Sequence, residues 1–425
     1  MILIKGGRVM DPATNLDEEK DIVIDDKGKI TGIYEPEEVQ RNHYETVIDA
    51  AGEIVAPGFV DVHVHFRDPG LTHKEDIVTG SAAAAAGGYT TVICMANTKP
   101  PVDDVDIYKE LQAREDKLPI HVLQTANVTK GMKGEELTSM EELHLAGVKG
   151  FTDDGVPIEN AGLMREALKK CKELDVPISL HEEDGKLMYS QGVNKGTVSE
   201  QLGLPGAPDE AEYTLVARDL MLNKKIGAKL NIQHISSAVT VDLIRKAKKD
   251  GIRVYGEVTP QHLSATEDLV LEQGALARVN PPLRTEKDRQ ALLQGLKDGV
   301  IDMIATDHAP HSKEEKERGI AKAPSGMIGL ETAFGLLMTY GVKEYGIPLM
   351  TVLRALTVNP AELYKLDAGK IYVGGPGDLV IFDPNREWVV SDAFVSKSTN
   401  SPFIGRKLCG KVTKTICNGK IVFTK

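Results

Sequence analysis

The run Asp61-Val62-His63-Val64-His65-Phe66-Arg67 carries the densest chemistry in the chain. Successive side chains of a strand point to opposite faces, so Asp61, His63 and His65 share one face while Val60, Val62 and Val64 share the other. An HxH pair alone also fits satisfied core histidines. Other β-branched runs end alike, however: His181 and His234 close two of them, Asp307 follows a third at once, and Asp153-Asp154 follows a fourth. Residues that merely capped strands would scatter over both strand ends and loops. Four imidazoles and one or two carboxylates on one rim suit one or two borderline divalent ions, zinc best, with manganese or cobalt as substitutes. Such an ion lowers the pKa of bound water and polarises a carbonyl, so the expected chemistry is hydrolysis or its reverse.

These residues need elements to bring them together. From about Pro57 onward, eight short runs alternate with helical-period segments: Phe59–His65, Thr90–Met95, Ile120–Gln124, Val148–Thr152, Pro177–His181, Leu230–His234, Ile252–Glu257 and Ile301–Thr306. Between them, Leu163 through Leu174 and Ala211 through Leu222 repeat apolar residues at helical spacing, and the alanine-rich Ser81–Ala86 ends at Gly87-Gly88, a helix stop. Eight strands interleaved with helices predict a closed (β/α)8 TIM barrel, in which the C-terminal strand ends carry the active site. The chain's two ends read differently. Residues 1–56 and 369–425 are short alternating strands broken by Asp-Lys-Gly, Gly-Gly-Pro-Gly and Asn-Gly turns. Each is thin alone, so both termini are expected to build one small β-sandwich domain beside a barrel of residues 57–368.

Composition excludes other classes. The 51 basic and 63 acidic side chains leave a net charge of −12, and the basic residues form no clustered or aromatic-interleaved patch, which argues against nucleic acid. Apolar stretches fall far short of the roughly 20 residues that span a bilayer, and the start lacks a signal peptide's apolar core. The four cysteines form no CxxC pair, so they read as isolated core residues in a reducing compartment, and a cytoplasmic location is expected.

The segment PGFVDVHVHFRDPGLTHKEDIVTGSAAAAAGGYTTVICMANTKP resembles the first catalytic segment of the bacterial class I dihydroorotases, in the cyclic amidohydrolase group. FTDDGVPI, SLHEED, NIQHIS, EVTPQHL, VNPPLR and ATDHAPHS follow in that family's order, over essentially the whole chain. HxH with a late aspartate is shared with hydantoinases and allantoinases, which lack the HFRDPG plus NPPLR set. A metal-free scaffold protein of the same fold is disfavoured because every candidate ligand is present.

The resemblance implies the reversible, metal-dependent cyclisation of N-carbamoyl-L-aspartate to L-dihydroorotate in pyrimidine biosynthesis. It implies two zinc ions, His63, His65 and Asp307 on the first, His181 and His234 on the second, with Asp154 and a hydroxide between them. Asp153 is the alternative bridge. Asp307 would also be the catalytic proton carrier. Substrate contacts implied are His65, Arg67, Asn97, Asn280, His311, Ser325 and Gly326; Arg67 returns to the face of His65 with a fork-shaped donor for a carboxylate. Asp61 is either an imidazole partner or a plain rim carboxylate, His308 is structural, and His262 carries no assigned role. Two departures stand out: Pro324-Ser325-Gly326 where many relatives have Phe-Gly, expected to replace ring stacking by backbone contacts, and Gln261 where histidine is common. The charged segment 312–324 is a solvated loop or a mobile lid. A homodimer and association with aspartate transcarbamoylase follow by resemblance only.

Overall fold

The computed structural model describes residues 1–39, 43–188 and 190–425. Five strands come first: β1 (Ile2–Asp11), β2 (Leu16–Ile24), β3 (Ile30–Tyr34), β4 (Thr46–Asp49) and β5 (Ile54–Pro57). Seven follow: β6 (Phe59–Val64), β7 (Tyr89–Cys94), β8 (His121–Gln124), β9 (Pro177–Leu180), β10 (Lys229–Ile232), β11 (Val254–Val258) and β12 (Met303–Ile304). The last three are β13 (Leu379–Val389), β14 (Lys407–Cys417) and β15 (Lys420–Thr424).

The strands from β6 to β12 pair in parallel and in sequence order, as β6-β7-β8 and β9-β10-β11-β12. The gap between β8 and β9 is filled by Phe151, which bridges Ala126 on one side and Ile178 on the other. A parallel bridge from Val64 to His308 closes the ring. Eight positions therefore make a barrel, the fourth shorter than the expected Val148–Thr152. The reason is local: Gly147 ends the preceding helix in the left-handed region, and the chain already turns at Asp153–Val156. Its backbone still bonds both neighbours, through Phe151 N–H to Pro177 O and Thr152 N–H to Ala126 O.

The helices follow the expected periodicity. Ala161–Leu174 starts at Asn160, whose side chain accepts from Gly162 and Leu163 N–H, and Glu210–Ile226 ends at Gly227 in the left-handed region. The alanine-rich run extends to Ile77–Ala86, opened by an Asp76 capping box and stopped at Gly87.

Both termini share one sheet of eight strands, ordered β15-β14-β13-β5-β1-β2-β3 with β4 against β1. β13 serves two cores through its period of two. Leu379 and Ile381 pack with Ile4, Ile22 and Val55, while Val380 and Phe382 face the barrel's core, where Phe382 lies 4.5 Å from the Phe334 ring. At this seam His121 Nε2 donates to Asp378 Oδ2 at 3.0 Å, and Asp378 also receives Asn418 N–H. Residues 390–406 leave the sheet and cross back to the barrel mouth, where Asn400 Nδ2 donates to Ala309 O and Gly326 O. All four cysteines are buried and free. Among the described residues no helix is long and apolar enough to cross a membrane.

Candidate metal centre

β6 delivers His63 and His65 to the C-terminal rim, where β9, β10 and β12 hand over to His181, His234 and Asp307. Asp154 lies at the centre. Its Oδ1 stands 3.4 Å from His63 Nε2, 3.5 Å from His234 Nε2 and 3.8 Å from His181 Nδ1, and its Oδ2 lies 3.4 Å from His65 Nε2. Asp307 Oδ1 lies 3.0 Å from His65 Nε2 and 3.5 Å from His63 Nε2. Two groups with metal-ligand spacing result, His63–His65–Asp154 and Asp154–His181–His234, with Asp154 common to both. Asp153 points elsewhere: its carboxylate accepts Val128 N–H at 2.8 Å, Thr129 N–H at 3.2 Å and the Thr129 hydroxyl.

The donors fit a metal. His63 Nε2 is buried without a hydrogen-bond partner and faces both aspartates. The opposite nitrogens of three imidazoles are held from behind: His63 Nδ1 donates to Glu257 Oε1 at 2.8 Å, His65 Nδ1 to Asn97 Oδ1 at 3.0 Å, and His181 Nε2 lies 3.0 Å from Glu183 Oε2. For His63 and His65 the partner fixes the tautomer that leaves a lone pair on the inward nitrogen, whereas His181 Nδ1 lies 2.9 Å from His234 Nε2. Glu257 is itself held by Asn231 Nδ2 at 2.9 Å. Asp61 is not the imidazole partner. It accepts His63 N–H at 3.0 Å and the Thr306 hydroxyl at 2.6 Å, tying β6 to the end of β12, and burial pushes its carboxyl up to about 7 against those bonds.

Burial disfavours charge on His63, but Asp154, Glu257 and Asp307 outweigh it and lift its pKa well above the ordinary imidazole range. Burial would raise Asp154 and Asp307 too, yet the surrounding histidines hold both carboxyls below their usual range. The field favours added positive charge, which a divalent cation supplies while displacing the proton. Arg67, His234 and Asp307 have φ of 57, 33 and 48°, a left-handed conformation that costs non-glycine residues about 1–3 kcal/mol each and clusters at functional sites.

A cavity of about 190 Å³ opens over this cluster, lined by every residue named from the sequence as ligand or substrate contact except His63, which is buried among the ligands below. Arg67 Nε donates to Pro310 O at 3.2 Å, and its Nη2 lies 3.4 Å from His311 Nε2. Burial, then Arg67, Lys316 and Lys74, push His311 down to about 3, so its ring is neutral and Nε2 donates to Ser325 O at 2.9 Å. Asn280 Oδ1 is buried and unpartnered. Ser325 Oγ accepts from Arg278 Nε at 3.3 Å, so that side chain is turned to the arginine. His262 is held between Thr259 Oγ1 and Pro281 O, with burial lowering it to about 4, and His308 Nδ1 accepts Gly329 N–H; both are structural. Gln261 donates to Thr306 O. The segment after His311 is built on a short helix, Lys313–Lys316, capped by Ser312. Sequence reasoning missed Glu257, Glu183 and Asn400. For Glu257 the one available signal was a carboxylate within the strand run Ile252–Glu257.

The barrel, its split sheet and this rim of histidines and aspartates define an amidohydrolase-type hydrolase. The amidohydrolase family profile matches residues 54–422, and the chain belongs to that family. Its relatives narrow the kind: it is 53% identical over 423 residues to the dihydroorotase of Clostridioides difficile and 51% identical over 424 residues to that of Clostridium acetobutylicum, covering 100% of this chain and 100% and 99% of theirs. Among solved structures, the L-hydantoinase (dihydropyrimidinase) of Arthrobacter aurescens superposes with a TM-score of 0.89 at 27% identity, over 100% of this chain and 96% of its own. The fold is thus shared with a hydantoinase, whereas the stronger likeness in sequence is to dihydroorotases.

Proposed function

We propose that this chain is a dihydroorotase, interconverting N-carbamoyl-L-aspartate and L-dihydroorotate through a zinc-loaded centre of two ions. The observation that carries this reading is Arg67 in the same small cavity as both ligand groups. A guanidinium there matches a ring that bears a carboxylate, which a hydantoin does not. Imidazole and carboxylate donors suit zinc, and Asp154, common to both groups, suits a bridging role. When bound, such ions polarise a carbonyl oxygen and lower the pKa of water.

The chain's own residues do the rest. Arg67, with Asn97 and His311 beside it, binds the retained carboxylate, the single N–H of neutral His311 turning from Ser325 O to that carboxylate, and Asn280 Oδ1 accepts from a ring N–H. In cyclisation the terminal ureido nitrogen bonds to the side-chain carboxylate carbon and gives one proton to Asp307. One carboxylate oxygen leaves as water, taking that proton from Asp307 and a second from solvent. Ring opening reverses each transfer, with Asp307 protonating the leaving nitrogen. The ionised state to which the histidines hold Asp307 is the form that accepts the first proton. The division into a barrel of residues 57–368 and a terminal domain of 1–56 with 369–425 belongs to the same reading.

The test is a side-by-side assay of the zinc-loaded protein with carbamoyl-aspartate, dihydroorotate, hydantoin and allantoin, with metal content measured on the same sample. Turnover of the first two with about two zinc ions per chain is expected. Preferential turnover of hydantoin or allantoin would overturn the assignment.

A further inference from the structure

Three cations surround the substrate cavity, and none has a carboxylate within salt-bridge distance among the described residues. Arg67 lines the cavity. Arg278 and Lys316 are buried one layer behind it, against the wall formed by Pro324, Ser325 and Gly326. The two acids that flank Lys316 in sequence are engaged elsewhere: Glu315 lies 2.8 Å from Lys74 Nζ and 3.4 Å from His311 Nδ1, and Glu317 3.8 Å from Lys313 Nζ. Burying a cation without a contacting anion costs desolvation energy that more distant carboxylates repay only in part. Burial, then Arg278 and Arg67, against a partial offset from Glu315, push Lys316 down to about 7, so that a carboxylate bound nearby favours its charged form.

What these cations do hold is the wall itself. Lys316 Nζ donates to Pro324 O and to Ala275 O, each at 2.9 Å. Arg278 donates through Nε to Ser325 Oγ at 3.3 Å and through Nη1 to Ile320 O, and its own carbonyl accepts Gly326 N–H at 2.8 Å. The wall in turn presents Ser325 O to His311 and Gly326 to the cavity.

We propose that Arg278 and Lys316 are positioning residues for the anionic end of the substrate: they pin the wall that Arg67 reaches through His311 and place behind it positive charge without an ion-pair partner, which a carboxylate-bearing substrate balances and an uncharged ring does not. The inference rests on the dihydroorotase reading and deepens it by naming what selects a charged ring over a neutral one on this shared fold. Charge one layer away acts through a low-dielectric wall, so its effect falls on substrate binding and leaves the proton transfers at Asp307 alone.

Lys316→Gln removes the charge while keeping an uncharged N–H donor on the side that faces both carbonyls. KM for dihydroorotate should rise about tenfold in Lys316→Gln and in Arg278→Met, with kcat within about twofold and metal content unchanged. Lys316→Arg, which keeps the charge, should return KM to within about twofold of wild type and folds whenever the site tolerates a cation. The rise of KM with added KCl should be shallower in Lys316→Gln than in wild type. A Lys316→Gln enzyme with wild-type KM and salt dependence overturns the inference, as does a loss confined to kcat or a Lys316→Arg enzyme no better than Gln. Wild-type protein inactive on both dihydroorotate and carbamoyl-aspartate removes the dihydroorotase reading and this inference with it; active wild type with unaffected variants removes this inference alone.

Discussion

The inward nitrogens of His63 and His65 are made available by hydrogen-bond partners on the far side of their rings, and that pairing sets the sharpest expectations at single positions. Glu257→Gln keeps the shape beside His63 but weakens the acceptor that fixes its tautomer. Metal affinity should fall roughly 10–100-fold, read by competition with a chelating dye, and an unchanged affinity would deny Glu257 this role. Asp307→Asn removes the proposed proton carrier, and turnover should drop by about 10²–10⁴ in samples whose metal content is verified. Near wild-type turnover with metal bound would remove Asp307 from the proton path. The histidines and Asp307 were legible because strand alternation and position at a run's end are local signals. Asp153 and Asp154 are adjacent, and what divides them is a set of donors from 127–129, among them the Val128 and Thr129 amides and the Thr129 hydroxyl, that holds Asp153 away from the cluster. Glu257 stands 194 residues from His63, a pairing no local pattern encodes.

Elements were legible where periodicity is long and blurred where loops decide. The eight runs and the alanine helix stand close to their expected places, but the fourth strand shrinks to Phe151 because glycine and the Asp153 turn flank it. The route of 390–406 was not readable, since it follows no period and is fixed by bonds such as Asn400 to Gly326. Gly326, on the barrel side of that bond, shows how tightly its own loop is set. Its φ is 128°, and a Cβ there would lie 2.7 Å from Ala309 Cβ and 3.1 Å from His311 Nε2. Gly326→Ala should therefore lose about 1–3 kcal/mol in urea melts and raise KM for dihydroorotate; unaltered values of both would mean the loop relaxes freely. At the seam, the bond to Asp378 raises the His121 pKa above its ordinary value. A raised folded value means the pair's stabilisation is complete below about pH 6.5 and is lost as pH climbs through that raised value. Wild type should exceed His121→Gln in melting temperature at pH 6, and the difference should shrink by pH 9. A difference independent of pH would show that the ring acts by packing alone.

Over the whole molecule, the net charge of −12 and the anionic substrate are reconciled by locally positive charge at one mouth: Arg67, the cations behind the wall, and the metal centre when loaded. The same centre should brace the fold, because a metal bound by the native state and not by the unfolded chain stabilises by mass action. Stripping with a chelator should lower the melting temperature, and excess zinc should restore it in a concentration-dependent way; a temperature insensitive to both would place the metal outside the residues converging on Asp154. The split sheet carries one more consequence, for synthesis. β5 pairs with β1 on one side and with β13 on the other. A ribosome releases β5 more than 300 residues ahead of Leu379, so during most of translation that strand offers an open edge that only the last segment of the chain can cover. Nascent chains halted before β13 should therefore be the aggregation-prone species, and chaperone demand should peak just before the C-terminal strands emerge.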